Sequence, residues 1–200
     1  MEVSVIITCH NYGRYLERAI RSVIDQNYDQ DKYEIIVVND ASSDETEKIM
    51  ANYSERIITI NNHKNLGISA ARNKGIIKSR GRYIVNLDAD DYFHSNILFV
   101  QTLFMNSNHE FGAVSCDYFI VDNMENHIVK KSAEREPIAC GIMFRKDLLI
   151  KIGLYDEDIK IWEEKEMRKR FEKDYLIHNI KIPLYRYRKH GNNHTEPNKL

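Results

Sequence analysis

The chain is poor in the features that mark secreted, membrane-spanning or nucleic-acid-binding proteins. Its three cysteines, Cys9, Cys116 and Cys140, lie far apart and form no CxxC. An odd, unpaired count reads as the reduced thiols of a cytosolic protein. No positively charged leader precedes an apolar segment, so no secretory signal is expected. No uninterrupted apolar run approaches the ~20 residues of a membrane helix. The expected location is cytoplasmic, with loose attachment at the inner face of the membrane left open. Lys plus Arg number 29 against 30 Asp plus Glu, and without a basic excess no nucleic-acid partner is expected. There is no repeat and no linker rich in Pro, Gly or Ser. The 200 residues therefore read as a single domain spanning 1–200, long enough for a full core.

Several phosphate-binding motifs are also missing. The glycines, at 13, 67, 75, 81, 112, 141, 153 and 191, include no GxG pair and no GxxxxGK[ST] loop. There is no GxSxG elbow.

What is present is an ordinary soluble composition, 42% apolar and 30% charged, with strong local patterning. VSVIITC (Val3 to Cys9) is an apolar, β-branched run of the buried-strand type. In RYLERAIRSVIDQ the apolar residues Leu16, Ala19, Ile20, Val23 and Ile24 fall on one helical face. EIIVVND (Glu34 to Asp40) is a second strand. Ser42 and Glu45 have capping-box spacing for a short helix. RIITI, GISAARNKGIIKS and RYIVNLD follow as strand, helix and strand. This alternation predicts a parallel sheet wrapped by helices, with ligands at the carboxyl ends of the strands. Right-handed crossovers would bring Asp40 and Asp88 to one edge as spatial neighbours. After Asp91 the pattern is mixed: a helix in SNILFVQTLFMNS, a hairpin turning at DNMENH, a strand and short helix ending at Gly153, a charged helix in EEKEMRKRFEK, and a basic, strand-like end. That end carries Lys181, Arg186, Arg188, Lys189 and Lys199 against Glu196, which suits an anionic ligand or a solvated tail.

The densest chemistry is in RYIVNLDADDYF, where Asp88, Asp90 and Asp91 crowd the end of a buried strand. Like charges at close range raise the cost of ionising one another. A divalent cation held by one or two carboxylates, with water and phosphates completing its shell, removes that cost. An EF-hand is excluded, because Tyr92 and Phe93 stand where such a loop needs an oxygen ligand and a glycine. The bland reading is a solvated acidic turn.

Six stretches then fall in order over about 190 residues: VSVIITCHNYGRYLERAIRSVIDQ, EIIVVNDASSDET, NLGISAARNKGI, YIVNLDADD, GLYDE with WEEKEMRKR, and PLYRYRKHGNN. Together they resemble the family 2 glycosyltransferases of the GT-A fold. The resemblance implies an α/β fold with a Rossmann-like, mainly parallel central sheet flanked by helices and a smaller mixed C-terminal part. Residues 1–91 would bind the nucleotide sugar and 92–200 would face the acceptor. It implies an inverting, metal-dependent transfer to an acceptor hydroxyl, in polysaccharide or glycoconjugate synthesis. Thr8 and Tyr12 would lie beside the base, Asp40 would accept from a base N–H, and Arg72 would sit near the diphosphate or pair with an acid such as Asp88. Asp88 would face the ribose or a metal-bound water, and Asp90 would bind Mn²⁺ or Mg²⁺. His190 would lie near the diphosphate or metal, and Arg186, Arg188 and Lys189 would add phosphate contacts or be solvated. Glu164 stands where the family has its catalytic Asp, with Glu166 a neighbouring candidate. The implied partners are a nucleotide-sugar donor, a UDP-sugar first, and a saccharide or lipid-linked acceptor, with a homodimer left open. The second reading is a nucleotide-sugar-binding accessory or degenerate protein without transfer, motivated by Glu for Asp and the short second half. A DxD phosphatase is disfavoured, because Tyr92 follows the motif and three βα units precede it.

Overall fold

A computed structural model describes residues 1–159 and 161–191. Four strands, β1 (Val3–Cys9), β2 (Tyr33–Asn39), β3 (Ile58–Asn61) and β4 (Tyr83–Asp88), pair in parallel in the order β3-β2-β1-β4. They alternate with helices α1 (Gly13–Ile24), α2 (Thr46–Asn52) and α3 (Ile68–Lys78). Both faces of the central strands are covered, so they read as continuous apolar runs. Val3, Val5, Ile7 and Cys9 of β1 pack into one core with Leu16, Ala19, Ile20 and Val23 of α1, while Ile6 packs into the other with Ala71 and Ile76 of α3.

The mixed segments join this same sheet and do not form a separate layer. After β5 (Tyr92–Phe93) and α4 (Ile97–Ser107) come β6 (Phe111–Val121), β7 (His127–Lys131), β8 (Met143–Arg145), α5 (Lys146–Lys151), α6 (Glu163–Phe171) and β9 (Leu176–Arg188). The nine-stranded order is β3-β2-β1-β4-β8-β6-β9-β5, with β7 on β6. The β6–β7 hairpin turns where DNMENH predicts it. Gly153 ends the short helix with φ +90°. α1 and α4 contribute to one core, and α3, α5 and α6 to the other, which makes a three-layer sandwich.

The capping box is a correction. Helix α2 starts at Thr46 with no side-chain cap from Glu45. Ser42 Oγ instead accepts from the Asn11 N–H at 3.0 Å. Asp44 takes the capping role: it accepts from Thr46 N at 3.0 Å, Thr46 Oγ1 at 2.5 Å and Gly13 N at 2.8 Å, so one carboxylate fixes the starts of α2 and α1 together. Burial works to raise its pKa, but the bonds from Thr46 and Gly13 outweigh this and hold it below the usual value. The basic end up to Arg188 is no solvated tail: it is the 13-residue strand β9, paired with β6 and β5. Residues 192–200 lie outside the described residues.

Candidate active site

The carboxyl ends of β1, β2 and β4 meet at one edge of the sheet. Thr8 lies in register with Val38 on one side and Asp88 on the other. Asp40 and Asp88 thus share an edge, but β1 stands between them, so they are not direct neighbours.

Asp40 is buried and already a hub. Its carboxylate accepts from Asn62 Nδ2 at 2.7 Å, from the Leu66 N–H at 3.0 and 3.1 Å, and from the Gly67 N–H at 2.9 Å. His10 Nδ1 meets the Asp40 carbonyl at 2.7 Å. Asp40 therefore shapes the loop that leads into α3, where Gly67 adopts φ +92°, a conformation glycine takes without strain.

Arg72 is fully buried on α3 and bridges two carboxylates. Nη2 donates to Asp88 Oδ1 at 2.9 Å and Nη1 donates to Glu163 Oε1 at 2.7 Å. This is the acid pairing expected for it, and the side chain is 1% exposed. The bridge joins the acidic strand end to the first residue of α6, 91 positions away. Cys140 Sγ lies 3.6 Å from Nη2. Burial, followed by the Asp88 charge, pushes that thiol well up and keeps it neutral.

Asp88, Asp90 and Asp91 have three different environments. Asp88 is held by Arg72. Asp91 is buried and takes the Tyr185 hydroxyl at 2.5 Å and the Arg188 N–H at 2.7 Å, which pins the end of β9 to the acidic turn. Burial, followed by the charges of Asp90 and Asp88, pushes its pKa well up. Asp90 points to His190, with Nε2 2.9 Å from Oδ2. Among the described residues this is the ion pair Asp90 makes, and it is charged only when the imidazole is protonated. His190 also stacks on Tyr15 at 4.9 Å and packs against Tyr12 at 5.7 Å. Tyr12 is half-buried at the start of α1, and burial together with the Asp90 charge lifts its pKa to about 12.

Arg188 is turned inward: Nε donates to the Asp90 carbonyl at 2.8 Å, and its fork reaches Glu125 and the carbonyls of Asp122 and Asn123. Arg186 Nη1 donates to the carbonyls of Pro183 and Tyr185. Arg188 thus braces the acidic turn and the β6–β7 hairpin, Arg186 bonds within β9, and Lys189 is exposed.

Glu164 opens α6 beside Glu163, half-buried, and burial raises its pKa, with the Glu163 charge adding to the rise. Glu166 is committed elsewhere: it pairs with Arg170 at 2.5 Å, and Arg170 in turn holds the carbonyls of Ile152 and Leu154. Of the two base candidates, Glu164 is the one that does not share this bidentate clasp.

No group of three or more His, Cys, Asp and Glu side chains among the described residues is arranged to cage a metal ion. Asp90 and His190 do supply an oxygen and a nitrogen donor side by side. They fit an ion that takes one or two protein ligands and completes its shell with water and phosphate oxygens.

Sequence reasoning did not find Glu163 as the partner of Arg72, Asn62 as the partner of Asp40, or Glu125 as the clasp on Arg18 and Arg188. Only the acidic residue beside Glu164 left a trace in the motif.

A mainly parallel central sheet flanked by helices is the fold of solved glycosyltransferases. The fold agrees with that of S. aureus TarS in complex with UDP-GlcNAc (TM-score 0.83, 21% identity, 97% of this chain and 60% of that one). It agrees also with the mannosyltransferase PcManGT from Pyrobaculum calidifontis in complex with GDP-Man and Mn²⁺ (TM-score 0.78, 19% identity, 96% and 58%). The sequence matches Glycosyl transferase family 2 over residues 4–179, and the chain belongs to that family. An uncharacterized glycosyltransferase of Rickettsia prowazekii (strain Madrid E) is 30% identical over 90% of this chain and 62% of its own length. The minor teichoic acid biosynthesis protein GgaB of Bacillus subtilis (strain 168) is 30% identical over 83% of this chain and 20% of its own length. The chain thus spans less than two thirds of these relatives. No helix among the described residues is long and apolar enough to cross a membrane.

Proposed function

We propose that this chain carries the donor site and the catalytic base of an inverting glycosyltransferase. The donor is a nucleoside-diphosphate sugar, a UDP-sugar first, and the acceptor is a saccharide or lipid-linked hydroxyl at the cytoplasmic side of an envelope. The observation that carries this reading is the convergence of Asp90–His190, Asp88–Arg72 and Glu163–Glu164 at one sheet edge. The ligands named for TarS and PcManGT support a nucleotide-sugar donor, and the teichoic acid relative supports a role in envelope polymer synthesis.

Thr8 and Tyr12 flank the base, and Asp40 holds the loop beneath it. Asp90 and His190 hold Mn²⁺ or Mg²⁺ together with the donor diphosphate. When bound, the ion neutralises charge growing on the leaving group. Glu164 takes the proton of the acceptor hydroxyl, whose oxygen attacks the anomeric carbon as the bond to the diphosphate breaks. Burial favours the protonated form of Glu164, which makes it a stronger base than an exposed carboxylate. Arg72 acts through Asp88 and Glu163, fixing the base helix relative to the donor.

The test is release of nucleoside diphosphate from a panel of donors, with acceptor extracts, for wild type, Glu164→Gln and Asp90→Asn. Transfer by the wild type, with donor binding retained and turnover lost in Glu164→Gln, supports the reading. Undiminished turnover in Glu164→Gln removes it as base. Donor binding without any transfer favours the accessory reading, for which Glu in place of the family's Asp is the motive.

A further inference from the structure

The tip of the β6–β7 hairpin is tied to the acidic turn by charge. Asp122 closes the tip, accepting from the Met124 N–H at 2.8 Å and the Asn126 N–H at 2.9 Å. Glu125 sits in it at φ +65°, a backbone region that residues other than Gly, Asn and Asp rarely adopt. Its carboxylate is gripped from two sides. Arg18 of α1 donates to both oxygens, at 2.8 and 3.1 Å, and Arg188 Nη2 donates to Oε1 at 3.3 Å. A surface ion pair would account for Arg18, because its side chain and that of Glu125 are 39% and 36% exposed. Such a pair adds at most ~1 kcal/mol to stability. It does not account for Arg188, which is 4% exposed and reaches the same carboxylate from the inner side.

Arg188 carries the contact onward to both members of the Asp90–His190 pair. Its Nε donates to the Asp90 carbonyl at 2.8 Å and its backbone N–H donates to Asp91 Oδ1 at 2.7 Å, so the peptide after Asp90 is fixed to the end of β9. His190 follows two residues later, and the intervening Lys189 N–H donates to the carbonyl of Val121, at the base of the hairpin, at 2.8 Å. The hairpin reaches the imidazole by a second route. The Tyr15 hydroxyl donates to Asn123 Oδ1 at 3.4 Å, and the Tyr15 ring stacks on His190 at 4.9 Å. The guanidiniums of Arg18 and Arg188 lie 4.1 and 5.4 Å from the centre of the Tyr92 ring, which ties the residue after Asp91 to the same clasp.

We propose that Glu125 is a positioning residue: acting through Arg188, it sets the Asp90–His190 pair in place to take a divalent ion with the donor diphosphate. This rests on the donor site proposed above. Glu125 balances the charge of the buried Arg188 and aims its fork at the turn, and Arg188 then fixes Asp90 through its carbonyl and His190 through the chain. Loss of a partner one contact removed from a metal ligand commonly weakens binding of the ion by about 10–100-fold.

The experiment is calorimetric titration of UDP, GDP, dTDP and CDP, with and without Mn²⁺, into wild type, Glu125→Gln, Arg18→Gln, the double variant, and the control Met124→Ser, whose side chain is exposed on the same turn. The expected result is a Mn²⁺-dependent affinity weakened about tenfold in Glu125→Gln, with binding in the absence of the ion unchanged and the control like the wild type. Arg18→Gln should lose less, and the double variant no more than Glu125→Gln, because Arg18 acts through the same carboxylate. A readout without any ligand is the nitrogen-15 NMR signal of the His190 ring, which should move in Glu125→Gln and stay in Met124→Ser. A merely structural Glu125 would lower Tm and leave the Mn²⁺ dependence and the His190 signal in place, and that result overturns the proposal, as does equal weakening with and without the ion. If the wild type binds a nucleotide with Mn²⁺ and Glu125→Gln binds it equally well, only this inference falls. If no nucleotide binds the wild type, the donor reading falls, and the His190 signal still decides whether Glu125 positions the pair.

Discussion

Removing the Arg72 guanidinium tests the link between the acidic strand end and helix α6. Arg72 is 1% exposed and carries both Asp88 and Glu163. Arg72→Met keeps most of the volume and deletes the charge. Asp88, with 29% of its side chain exposed, can recover hydration, whereas Glu163, at 9%, cannot. The loss therefore concentrates at Glu163. Breaking a buried pair from one side costs about 3–5 kcal/mol, and the low end applies if Glu163 takes up a proton. For a chain of this length each kcal/mol moves Tm by ~2–4 °C, so the expected fall is about 6–20 °C. Glu163→Gln in the Arg72→Met background should cost less than in the wild type, with a coupling of about 1–3 kcal/mol. Arg72→Lys should fall between, since one ammonium cannot span both acids as the fork does. The assay is urea and thermal unfolding of the four proteins of the cycle. A loss below about 1 kcal/mol in Arg72→Met, the ordinary scale of a point substitution, or additive single effects, would refute the bridge as an energetic unit.

Three other expectations follow from the geometry. Burial raises the pKa of Glu164, and a base works only when deprotonated, so the acid limb of kcat/KM should lie above the ordinary 4.5 and vanish in Glu164→Gln; a limb that persists in the variant assigns it to another group. Asp44→Ala removes the acceptor shared by α1 and α2 and should cost about 1–2 kcal/mol by urea unfolding, whereas Ser42→Ala with a larger effect would reinstate the capping box. Asp40→Asn replaces one acceptor oxygen with a donor facing the loop N–H groups, at a cost of about 1–3 kcal/mol. Its mark is faster amide exchange at Leu66 and Gly67, and unchanged exchange there would contradict the hub role.

The doubly buried strands and the βαβ alternation were legible in the sequence because Val, Ile and Leu runs admit few other readings. The crowding of Asp88, Asp90 and Asp91 was legible for the same reason, since only a cation or a specific arrangement makes it tolerable. What could not be read was which partner each charge takes. Arg72 reaches an acid 91 residues away, and Arg188 reaches carbonyls 65 and 66 residues away; neither distance leaves a periodic trace. The capping box failed because two short polar side chains competed for the same turn, and Asp44 reached both helix starts while Ser42 turned to Asn11. Asp40 was visible as a polar residue at a strand end, but the bonds its carboxylate takes from Asn62, Leu66 and Gly67 were not.

The central claim is a metal-assisted donor site at Asp90 and His190. The most direct measurement is calorimetric titration of UDP, GDP, dTDP and CDP, each with and without Mn²⁺, into wild type and Asp90→Asn. The account predicts that one nucleotide binds tightly with Mn²⁺, weakly without it, and not measurably in Asp90→Asn. Failure of every nucleotide to bind a folded protein, or equal binding with and without the ion and the aspartate, would contradict it.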